Sequence, residues 1–401
     1  MNLKGKTILL GVTGSIAAYK AVDLASHLTK AGARVDVIMT DAATEFIAPL
    51  TFRNITGRPV VTKMFELASE YSVEHVALAD AADVVVIAPI TANTIAKLAA
   101  GIADNMLTCT VLATKTSVIL APAMHSNMYQ NPVTQENLKK LKARGFIVVG
   151  PESGPLASGK IGIGRFIEIN QIIGTISQVL GRKGDLAGKR IVISAGGTRE
   201  PIDPVRCLTN YSSGKMGYAL AEAARDRGAQ VVLVTAPTAL PEPVGINIVN
   251  ISTSQEMYQA VKKASTKVDA LIMAAAVADF RPAKVSKNKI KRQSSDSLTL
   301  ELEKTQDILD EVRGKFIRVG FAAESNNLIA NAKNKLTKKQ LDLIVANDIT
   351  VAGSGIGADD NQVTIIDRSG KTEKLPLLPK SEVADKILDK VVKILSNKAM
   401  R

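Results

Sequence analysis

Residues 5–20 read GKTILLGVTGSIAAYK, a short apolar run that leads through a glycine-containing turn into a stretch rich in alanine. Residues 31–40, AGARVDVIMT, supply a second β-type run after the alanine-rich stretch ends at Lys30. A strand, a helix and a second strand in this order predict a βαβ unit, and such units build parallel sheets. We therefore expect the chain to open with a doubly wound α/β domain.

The same pattern occurs again in the second half of the chain. Residues 188–193 read GKRIVI, and a glycine turn, a helical stretch to Arg227 and the run RGAQVVLVT follow. Further near-continuous apolar runs fit sheets that are covered by helices on both faces. These runs are VVVIAP at 84–89, SVILAP at 117–122, FIVVG at 146–150, DALIMAAA at 269–276, FIRVGFAA at 316–323 and DLIVAND at 342–348. The polar, glycine-rich GRKGDLAG at 181–188 separates the halves, so we predict two doubly wound three-layer domains, about 1–180 and 187–401.

Composition and charge narrow the class of protein. The 401 residues are 46% hydrophobic and 22% charged, which excludes a disordered or fibrous chain. The net charge of +13 points to anionic partners, and most of the excess lies in the second half, densest in RPAKVSKNKIKR at 281–292. This basic run fits a solvated loop or a polyphosphate site. Nucleic acid ranks third, because aromatic residues are only 3% and no nucleic-acid-binding motif accompanies the run.

The two cysteines, Cys109 and Cys207, are too few for a disulfide scaffold and fit a reducing, cytoplasmic setting. No signal peptide follows Met1, and no apolar run approaches the roughly 20 residues of a membrane span. We expect a cytoplasmic protein with neither a membrane nor a nucleic acid as partner.

Polar side chains follow the predicted strands of the first half. GVTGSIAAYK at 11–20 opens a helix whose N-terminus suits a phosphate, with Ser15 adding a hydroxyl, although a purely structural turn fits equally well. Thr91, Asn93 and Thr94 follow a buried strand, and a helix cap would explain one of them but not the whole cluster. GxGxxG is missing, so the dinucleotide fingerprint is absent.

Two further positions have both a structural and a functional interpretation. Met124 in APAMHSNMYQNP at 121–132 fits a core residue or a wall for a flavin. His75 fits a structural residue or, in a pocket, a proton carrier, since histidine is the side chain that ordinarily exchanges protons near neutral pH.

The motifs GSIAAYK, EHVALADAAD, PITANTIAK, GIADNML and PAMH resemble the flavin-dependent cysteine decarboxylase family and stand in that family's order. The resemblance implies a flavodoxin-like flavoprotein fold, trimers with FMN at the subunit interface, and His75 as the active-site base. It implies FMN contacts at Gly14, Ser15, Thr40, Thr91, Asn93, Thr94, Asn105 and Met124.

Two positions depart from that family. His125 stands where the family has an asparagine that holds the substrate carboxylate, and an imidazole can still donate to a carboxylate. PLASGKIGIGR at 155–165 resembles the family's substrate-clamping flap, but Ser158 stands where many members carry a proton-donating cysteine. A serine hydroxyl is a much weaker acid than a thiol of pKa about 8.5. His125 and Ser158 remain candidate catalytic residues, and the last proton could come from Ser158 in another role, another acid or water.

The second half carries ISAGGTREPIDPVRCLTNYSSGKMG at 193–217. The spacing GxxxxGK[ST] is missing, which disfavours a Walker-type ATPase. The stretch instead resembles the phosphopantothenate–cysteine ligase family, which implies a Rossmann-like ligase fold. Other stretches share this resemblance: MAAAVADFRP at 273–282, KNKIK at 287–291, KTQDIL at 304–309, GFAAES at 320–325 and VAND at 345–348.

The ligase resemblance implies roles for individual residues. Asn210 stabilises an acyl-nucleotide intermediate, Lys289 holds the triphosphate, and Arg206 and Ala276 contact substrate with Asn210. The resemblance also implies Mg²⁺, which we expect to be held mainly by the nucleotide phosphates. Taken singly, Asp279 could cap a turn, Lys289 could be a solvated lysine and Phe321 could be core. The implied nucleotide contacts are Met273, Ala274, Ala275, Asp279, Lys289, Asp307, Ile308, Phe321, Lys335 and Lys339.

Together the resemblances imply an enzyme of coenzyme A biosynthesis. It would condense 4′-phosphopantothenate with L-cysteine using CTP, with ATP left open, and decarboxylate the product to 4′-phosphopantetheine. They also imply a homo-oligomer of trimeric decarboxylase and dimeric ligase domains, with a dodecamer as one arrangement. Three alternatives stay open: a ligase with a degenerate FMN-binding first domain, a regulatory flavoprotein, and an NAD(P)-dependent oxidoreductase, which the missing GxGxxG disfavours.

Overall fold

A computed structural model of the chain describes residues 3–64, 74–291, 298–324, 326–348 and 357–399. The chain divides into two units, Met1–Leu180 and Gly181–Arg401. Within the described ranges, none of the helices combines the length and the apolar character that crossing a membrane requires.

Unit 1 has a six-stranded parallel sheet between helices, with an antiparallel hairpin beside it. Its strands are β1 (Thr7–Val12), β2 (Arg34–Met39), β3 (Val60–Val61), β4 (Val84–Ile90), β5 (Ser117–Pro122), β6 (Ile147–Val148), β7 (Glu152–Pro155) and β8 (Ile161–Arg165). Its helices are α1 (Ala18–Lys30), α2 (Asp41–Thr44), α3 (Pro49–Thr56), α4 (Glu74–Ala81), α5 (Ala92–Ala100), α6 (Met106–Ala113), α7 (Ser126–Gln130), α8 (Pro132–Ala143) and α9 (Ile169–Gly181).

The strand order of unit 1 is β3-β2-β1-β4-β5-β6. Without the two-residue edge strand β3, this is the 2-1-3-4-5 order of flavodoxin-like folds. All seven residues of β4 are buried, because helices cover both faces of the sheet. Helices α1, α3 and α9 pack on one face, and α5, α6 and α8 pack on the other. The flavodoxin-like fold predicted for the first half is confirmed.

Unit 2 has an eight-stranded sheet. Its strands are β9 (Arg190–Ala195), β10 (Arg199–Pro201), β11 (Cys207–Thr209), β12 (Gln230–Thr235), β13 (Asn247–Asn250), β14 (Ala270–Met273), β15 (Phe280–Pro282), β16 (Leu302–Lys304), β17 (Ile317–Glu324), β18 (Leu343–Asp348), β19 (Asp360–Asn361), β20 (Val363–Asp367), β21 (Thr372–Lys374) and β22 (Leu378–Pro379). Its helices are α10 (Lys215–Asp226), α11 (Ser254–Ala264), α12 (Ile308–Glu311), α13 (Leu328–Lys338) and α14 (Lys380–Ala399).

The main sheet of unit 2 runs β13-β12-β9-β14-β17-β18-β20-β21. Its first six strands are parallel and follow the 3-2-1-4-5-6 order of Rossmann folds, while β20 and β21 are antiparallel. Helices α10 and α14 cover one face, and α11, α12 and α13 cover the other. The predicted Rossmann-like fold is confirmed.

In each sheet the chain changes direction beside its first strand. In unit 1 the chain runs outward from β1 to β2 and β3 and then returns to β4 on the other side of β1, and in unit 2 the same switch lies between β9 and β14. Ligands of open α/β sheets bind in the crevice outside the carboxyl ends of the strands at such a switch point. The topology therefore places one candidate site in each unit.

Gly217 allows α10 to approach β9 closely. A Cβ at this position would lie 2.6 Å from the Cβ of Ala195 and 2.8 Å from the carbonyl oxygen of Ser194. Alanine gains up to about 1 kcal/mol in helix propensity over glycine, whereas overpacking costs about 1–3 kcal/mol. We expect Gly217→Ala to lower the free energy of unfolding of unit 2 by about 1 kcal/mol, measured by denaturant titration.

Glu222→Ala, on the exposed part of α10, is the control, and we expect it to stay within about 0.5 kcal/mol of the wild type. A Gly217→Ala protein as stable as this control would show that α10 can move away from β9 without loss.

Candidate functional site

In unit 1 the ends of β1, β4 and β5 are joined by hydrogen bonds at the switch point. The backbone N–H and the hydroxyl of Thr13 both donate to the carbonyl oxygen of Pro89, at 3.2 and 2.8 Å. The N–H of Thr91 donates to the Thr13 hydroxyl at 3.0 Å, and the N–H of Ala123 donates to the Ile90 carbonyl at 3.2 Å. The turns after these strands therefore form one continuous edge. Thr13 was not among the predicted site residues, although its place after the first strand is a usable signal.

Three predicted FMN contacts lie on this edge. The Ser15 hydroxyl donates to the carbonyl of Ala123 at 3.4 Å. Gly14 lies against α2, where a Cβ would come within 2.5 Å of the Ala42 Cβ, so only glycine fits. The hydroxyl of Thr40 is buried and has no hydrogen-bond partner within the described part of the chain. A buried hydroxyl without a partner costs about 1–3 kcal/mol, so its position favours a polar ligand at this edge.

The other polar side chains near this edge act partly as helix caps. Thr91 accepts from the N–H of Thr94 at 3.4 Å and caps α5, while Asn93 is exposed in the first turn of that helix. Asn105 accepts from the N–H of Thr108 at 3.0 Å in a capping box at the start of α6. The structural interpretation therefore accounts for the oxygens of Thr91 and Asn105.

Met124 and His125 lie where the β7–β8 hairpin meets the sheet. The N–H of Met124 donates to the carbonyl of Gly164 at 3.0 Å, and a Cβ on Gly164 would lie 2.1 Å from the Met124 carbonyl oxygen. The Nδ1 atom of His125 accepts from the N–H of Asn127 at 3.3 Å and caps α7. Ser158 is exposed in the turn between β7 and β8. The hairpin thus has a fixed base beside Met124 and carries Ser158 at its tip.

His75 lies in the first turn of α4 and is half-buried. The residues before it in the motif EYSVEHVALADAAD, 70–73, lie outside the described residues. Helix α4 packs beside α6, the helix that Asn105 caps.

Unit 1 also has a cavity of about 360 Å³ that none of the predicted site residues lines. It includes Ser117 at the start of β5 and Arg144 and Gly145 before β6. It therefore lies at the amino ends of the strands, away from the switch point.

In unit 2 the ends of β9 and β14 are joined in the same manner. The N–H of Ala278 donates to the hydroxyl of the buried Thr198 at 3.0 Å, and the N–H of Ala276 donates to the Gly196 carbonyl at 2.8 Å. The side-chain amide of Asn210 donates to the carbonyl of Val277 at 3.1 Å. Asn210 and Ala276, two predicted substrate contacts, are thereby brought to the same turn.

Beside this turn lies a cavity of about 380 Å³. Eight of the ten predicted nucleotide contacts line it: Met273, Ala275, Asp279, Asp307, Ile308, Phe321, Lys335 and Lys339. Residues that were not predicted also line it: Val277, Phe280, Lys304, Thr305, Gln306 and Leu309. Four of the latter belong to the motif KTQDIL, which already contained the signal. Ala274 and Lys289 do not line the cavity.

Two ammonium groups converge on one wall of this cavity. The Nζ atom of Lys335 donates to the carbonyl of Phe321 at 2.8 Å, and the Nζ atom of Lys339 forms an ion pair with the carboxylate of Asp307. Both lysines project from α13 or its C-terminal cap, four residues and about one helical turn apart. The wall can therefore present two positive charges to one anionic ligand.

The basic loop that carries Lys289 is fastened to the 202–206 loop. The buried carboxylate of Asp203 accepts from the N–H groups of Val205 and Arg206, both at 2.8 Å, and of Ile290 at 3.2 Å. Burial would raise the pKa of Asp203, but these backbone hydrogen bonds and the nearby Arg206 guanidinium hold it below its ordinary value. Lys289 is exposed next to Ile290, and Arg292 of the basic run lies outside the described residues.

Arg206, a predicted substrate contact, is itself engaged by this loop. Its guanidinium forms an ion pair with Asp203 at 3.2 Å and donates to the carbonyl of Ile290. The arrangement holds the Arg206 side chain against the backbone of the loop that carries Lys289.

Sequence comparison assigns both units to known families. Residues 1–181 match the model described as Flavoprotein, and residues 186–395 match the model described as DNA/pantothenate metabolism flavoprotein C-terminal domain. The chain is 45% identical to the Coenzyme A biosynthesis bifunctional protein CoaBC of Vibrio vulnificus (strain YJ016), over 99% of this chain and 100% of that protein. It is 44% identical to the protein of the same name from Bacillus subtilis (strain 168), over 97% of each.

A solved structure described as the C-terminal domain of Coenzyme A biosynthesis bifunctional protein CoaBC is 43% identical to this chain, with a TM-score of 0.46. The matched region covers 53% of this chain and 99% of the chain in the solved structure. The family models and the full-length relatives account for both units in the same order. The chain therefore belongs to the family of coenzyme A biosynthesis bifunctional proteins, enzymes that join a decarboxylase to a phosphopantothenate–cysteine ligase.

Proposed function

We propose that unit 2 joins 4′-phosphopantothenate to L-cysteine with CTP as the activating nucleotide, and that unit 1 decarboxylates the product with FMN as cofactor. The observation that carries the ligase half is the cavity beside β14, where two lysine ammonium groups converge within reach of the Asn210 turn. The observation that carries the flavin half is the buried hydroxyl of Thr40, which has no partner among the described residues and lies on an edge where Gly14 admits no side chain.

The ligase reaction needs activation because a carboxylate is a poor electrophile. In the proposed sequence a carboxylate oxygen of 4′-phosphopantothenate attacks the α-phosphorus of CTP and pyrophosphate leaves. The amine of cysteine then attacks the acyl carbon and CMP leaves. Negative charge builds up on the phosphates in the first step, so Lys289, Lys335 and Lys339 stabilise it as fixed cations. The Asn210 amide, held at Val277, is placed to hydrogen-bond the acyl phosphate.

Asp279 is the residue proposed to recognise the cytosine ring. It is exposed at the rim of the cavity, and its backbone carbonyl accepts from the N–H of Thr305 at 3.0 Å, so the turn that carries it is fixed. Its carboxylate can accept from the exocyclic amine of cytosine. Phe321, half-buried in β17, lines the same cavity and offers an apolar surface.

We assign Mg²⁺ to the nucleotide phosphates. Within the described ranges, no three His, Cys, Asp or Glu side chains are grouped so that they could hold a metal ion. A Mg²⁺ ion commonly keeps several waters and binds substrate phosphates with few protein ligands. The residues of unit 2 therefore fit a metal that enters with the nucleotide.

The edge of unit 1 fits FMN. The β1–α1 turn with Gly14 and Ser15 and the hydroxyl of Thr40 suit its phosphate and polar groups, and Met124 suits the face of its ring. When bound, FMN supplies the reversible oxidation of the thiol-bearing carbon that lets the carboxylate leave. His75 is proposed to move the thiol proton, and His125 to donate a hydrogen bond to the substrate carboxylate.

We further propose a cytoplasmic homo-oligomer with trimeric decarboxylase units and dimeric ligase units, which together make a dodecamer. Large apolar side chains exposed near the flavin edge, Ile16, Tyr19 and Leu50, support contacts between copies of unit 1. Tyr211, 87% exposed beside Asn210, supports a contact at the ligase site. The free thiols of Cys109 and Cys207 support a reducing compartment.

Lys289→Gln tests the ligase half. Because it removes a cation proposed to stabilise the transferring phosphates, we expect formation of phosphopantothenoylcysteine to fall about hundredfold. The same protein should still release carbon dioxide from supplied phosphopantothenoylcysteine. The assay runs with CTP and with ATP, and CTP should give the faster ligation.

Lys287→Gln, an exposed lysine of the same loop, is the matched control and should ligate within about twofold of the wild type. Equal losses in the two variants would mean that Lys289 contributes only to the general charge of the loop. Absence of carbon dioxide release by the wild type would support the alternative of a degenerate flavin domain.

Thr40→Val tests the flavin half with a side chain of nearly the same shape. We expect FMN to dissociate about tenfold more readily, because a hydrogen bond to the ligand is lost. Flavin fluorescence measures the dissociation constant. Thr110→Val is the control. It removes a buried hydroxyl that donates to the Met106 carbonyl at 2.7 Å within α6, so FMN binding should not change. Unchanged FMN affinity in Thr40→Val would remove Thr40 from the flavin site.

Ser158→Cys tests how the last step obtains its proton. Loss of carbon dioxide leaves an unsaturated thiol, and saturating it takes one hydride and one proton. A thiol of pKa about 8.5 is a far better acid than a serine hydroxyl, so we expect the variant to form more saturated product for each carbon dioxide released. Mass spectrometry distinguishes the two products by two hydrogens.

Ser153→Cys, exposed on β7 of the same hairpin, controls for an added thiol away from the tip. If Ser158→Cys and the wild type give the same product ratio, the proton comes from another acid or from water.

A further inference from the structure

We propose that Arg318, which does not line the unit 2 cavity, positions Lys339 and the α12 wall for binding of the nucleotide triphosphate. The inference rests on the proposed nucleotide function of this cavity. Arg318 is the second residue of β17 and is 6% exposed. It lies behind the cavity wall and carries a full positive charge there.

The guanidinium of Arg318 joins the two elements that form this wall. Its Nη1 atom donates to the carbonyl of Lys339 at 3.0 Å, and its Nη2 atom donates to the carbonyl of Leu309. Lys339 is the C-terminal cap of α13, and Leu309 belongs to α12. Both residues line the cavity. One side chain therefore holds the end of α13 against α12 from behind.

The front of the same wall is closed by a second interaction. The ammonium group of Lys339 pairs with the carboxylate of Asp307, the N-terminal cap of α12. Two sets of contacts thus join α12 to the end of α13. Arg318 joins them behind the wall, and the Lys339–Asp307 ion pair joins them in front. If the rear contact is lost, the backbone of Lys339 is free to shift, and its ammonium group shifts with it.

The electrostatics of Arg318 argue that it does more than fill space. In the part of the chain that the structure describes, no carboxylate pairs with its guanidinium: Asp342 accepts from its backbone N–H at 2.9 Å instead. Its Nε atom is buried and has no hydrogen-bond partner among the described residues. Burial, with repulsion from Arg313, lowers the pKa of the guanidinium, although the carboxylates of Asp310, Asp342 and Asp307 oppose this shift, and the group stays protonated at neutral pH.

A buried cation without an ion pair is costly unless something compensates for its charge. Carbonyls at a helix C-terminus, such as that of Lys339, carry partial negative charge and offset some of it. The carboxylates of Asp310, Asp342 and Asp307 attract it at longer range, and a triphosphate in the adjacent cavity would add to this compensation. The buried position keeps this charge poorly screened by salt, so it adds to the attraction exerted by the lysines.

Arg318→Met and Arg318→Lys in the full-length protein test the inference, with CTP binding measured by calorimetry. We expect Arg318→Met to weaken CTP binding at least tenfold, because both the brace and the charge are lost. Arg318→Lys keeps the charge but cannot reach both carbonyls, and should fall between the wild type and Arg318→Met. The KM for cysteine should stay within twofold, and decarboxylation of supplied phosphopantothenoylcysteine should not change.

Arg225→Met controls for the loss of a buried arginine. Arg225 is 4% exposed, donates to the Val244 carbonyl at 2.7 Å and pairs with Asp226, and it does not line the cavity. We expect a lower melting temperature with unchanged CTP affinity. If Arg318→Met does not fold, Arg318→Lys carries the comparison alone.

Lys339→Met completes a double-mutant cycle that tests whether Arg318 acts through Lys339. On this inference, adding Arg318→Lys to Lys339→Met weakens CTP binding by much less than Arg318→Lys does in the wild type. Equal effects in both backgrounds, or wild-type affinity in both Arg318 variants, overturn the positioning role. Wild-type affinity in Lys339→Met would instead overturn the nucleotide function proposed for the cavity.

Discussion

Both candidate sites depend on the hydrogen bonds of a buried threonine hydroxyl, Thr13 after β1 and Thr198 after β9. At a switch point, two neighbouring strands continue into turns that lead in opposite directions. The hydrogen bonds between the strands end there, so the backbone N–H and C=O groups beyond them need other partners. The hydroxyl of Thr13 donates to Pro89 and accepts from Thr91, and the hydroxyl of Thr198 accepts from Ala278. These bonds keep the strand ends together while the turns beyond them diverge. The crevice between the turns is open for that reason.

The polar residues around the crevice cap helices and are also predicted ligand contacts. A turn that leaves a strand and enters a helix must satisfy the first N–H groups of that helix. In unit 1 the oxygens of Thr91 and Asn105 do this, and the side-chain amide of Asn105 donates to Asp104 at 3.1 Å. Less of their hydrogen-bonding capacity is left for a ligand. The Thr40 side chain makes no such capping bond to α2 and has no partner in the described part of the chain, so its hydroxyl is the more informative observation.

Much of the fold could be predicted from local patterns. The helix expected to end at Lys30 does end there, and the helical stretch expected to reach Arg227 spans Lys215–Asp226, with Arg227 as its C-terminal cap. Apolar strands and glycine turns are properties of short segments, so the sequence alone reveals them. The candidate site was predictable only where a motif carried it, because a motif records which residues stand together but not what they touch.

What the sequence could not predict depends on contacts between distant segments. Nothing near Arg318 in the chain indicates that its guanidinium reaches Leu309 on one side and Lys339 on the other. The same holds for Lys289, whose loop is held by Asp203 from a segment more than 80 residues earlier. A count of charges treats Arg318 and Lys289 alike, whereas the structure shows that they differ in burial and in hydrogen-bond partners.

Because the basic side chains differ in burial and partners, they do not contribute equally to the attraction that the net charge of +13 exerts on an anion. Lys339 already faces a carboxylate and Lys335 a carbonyl, so part of their attraction for an anion is used within the protein. The Nη atoms of Arg318 donate to the carbonyls of Lys339 and Leu309, and burial shields its charge from salt. A screened surface charge accelerates encounter with an anion, but a buried charge acts after the anion has arrived. A buried arginine can therefore strengthen the binding of a phosphate without touching it.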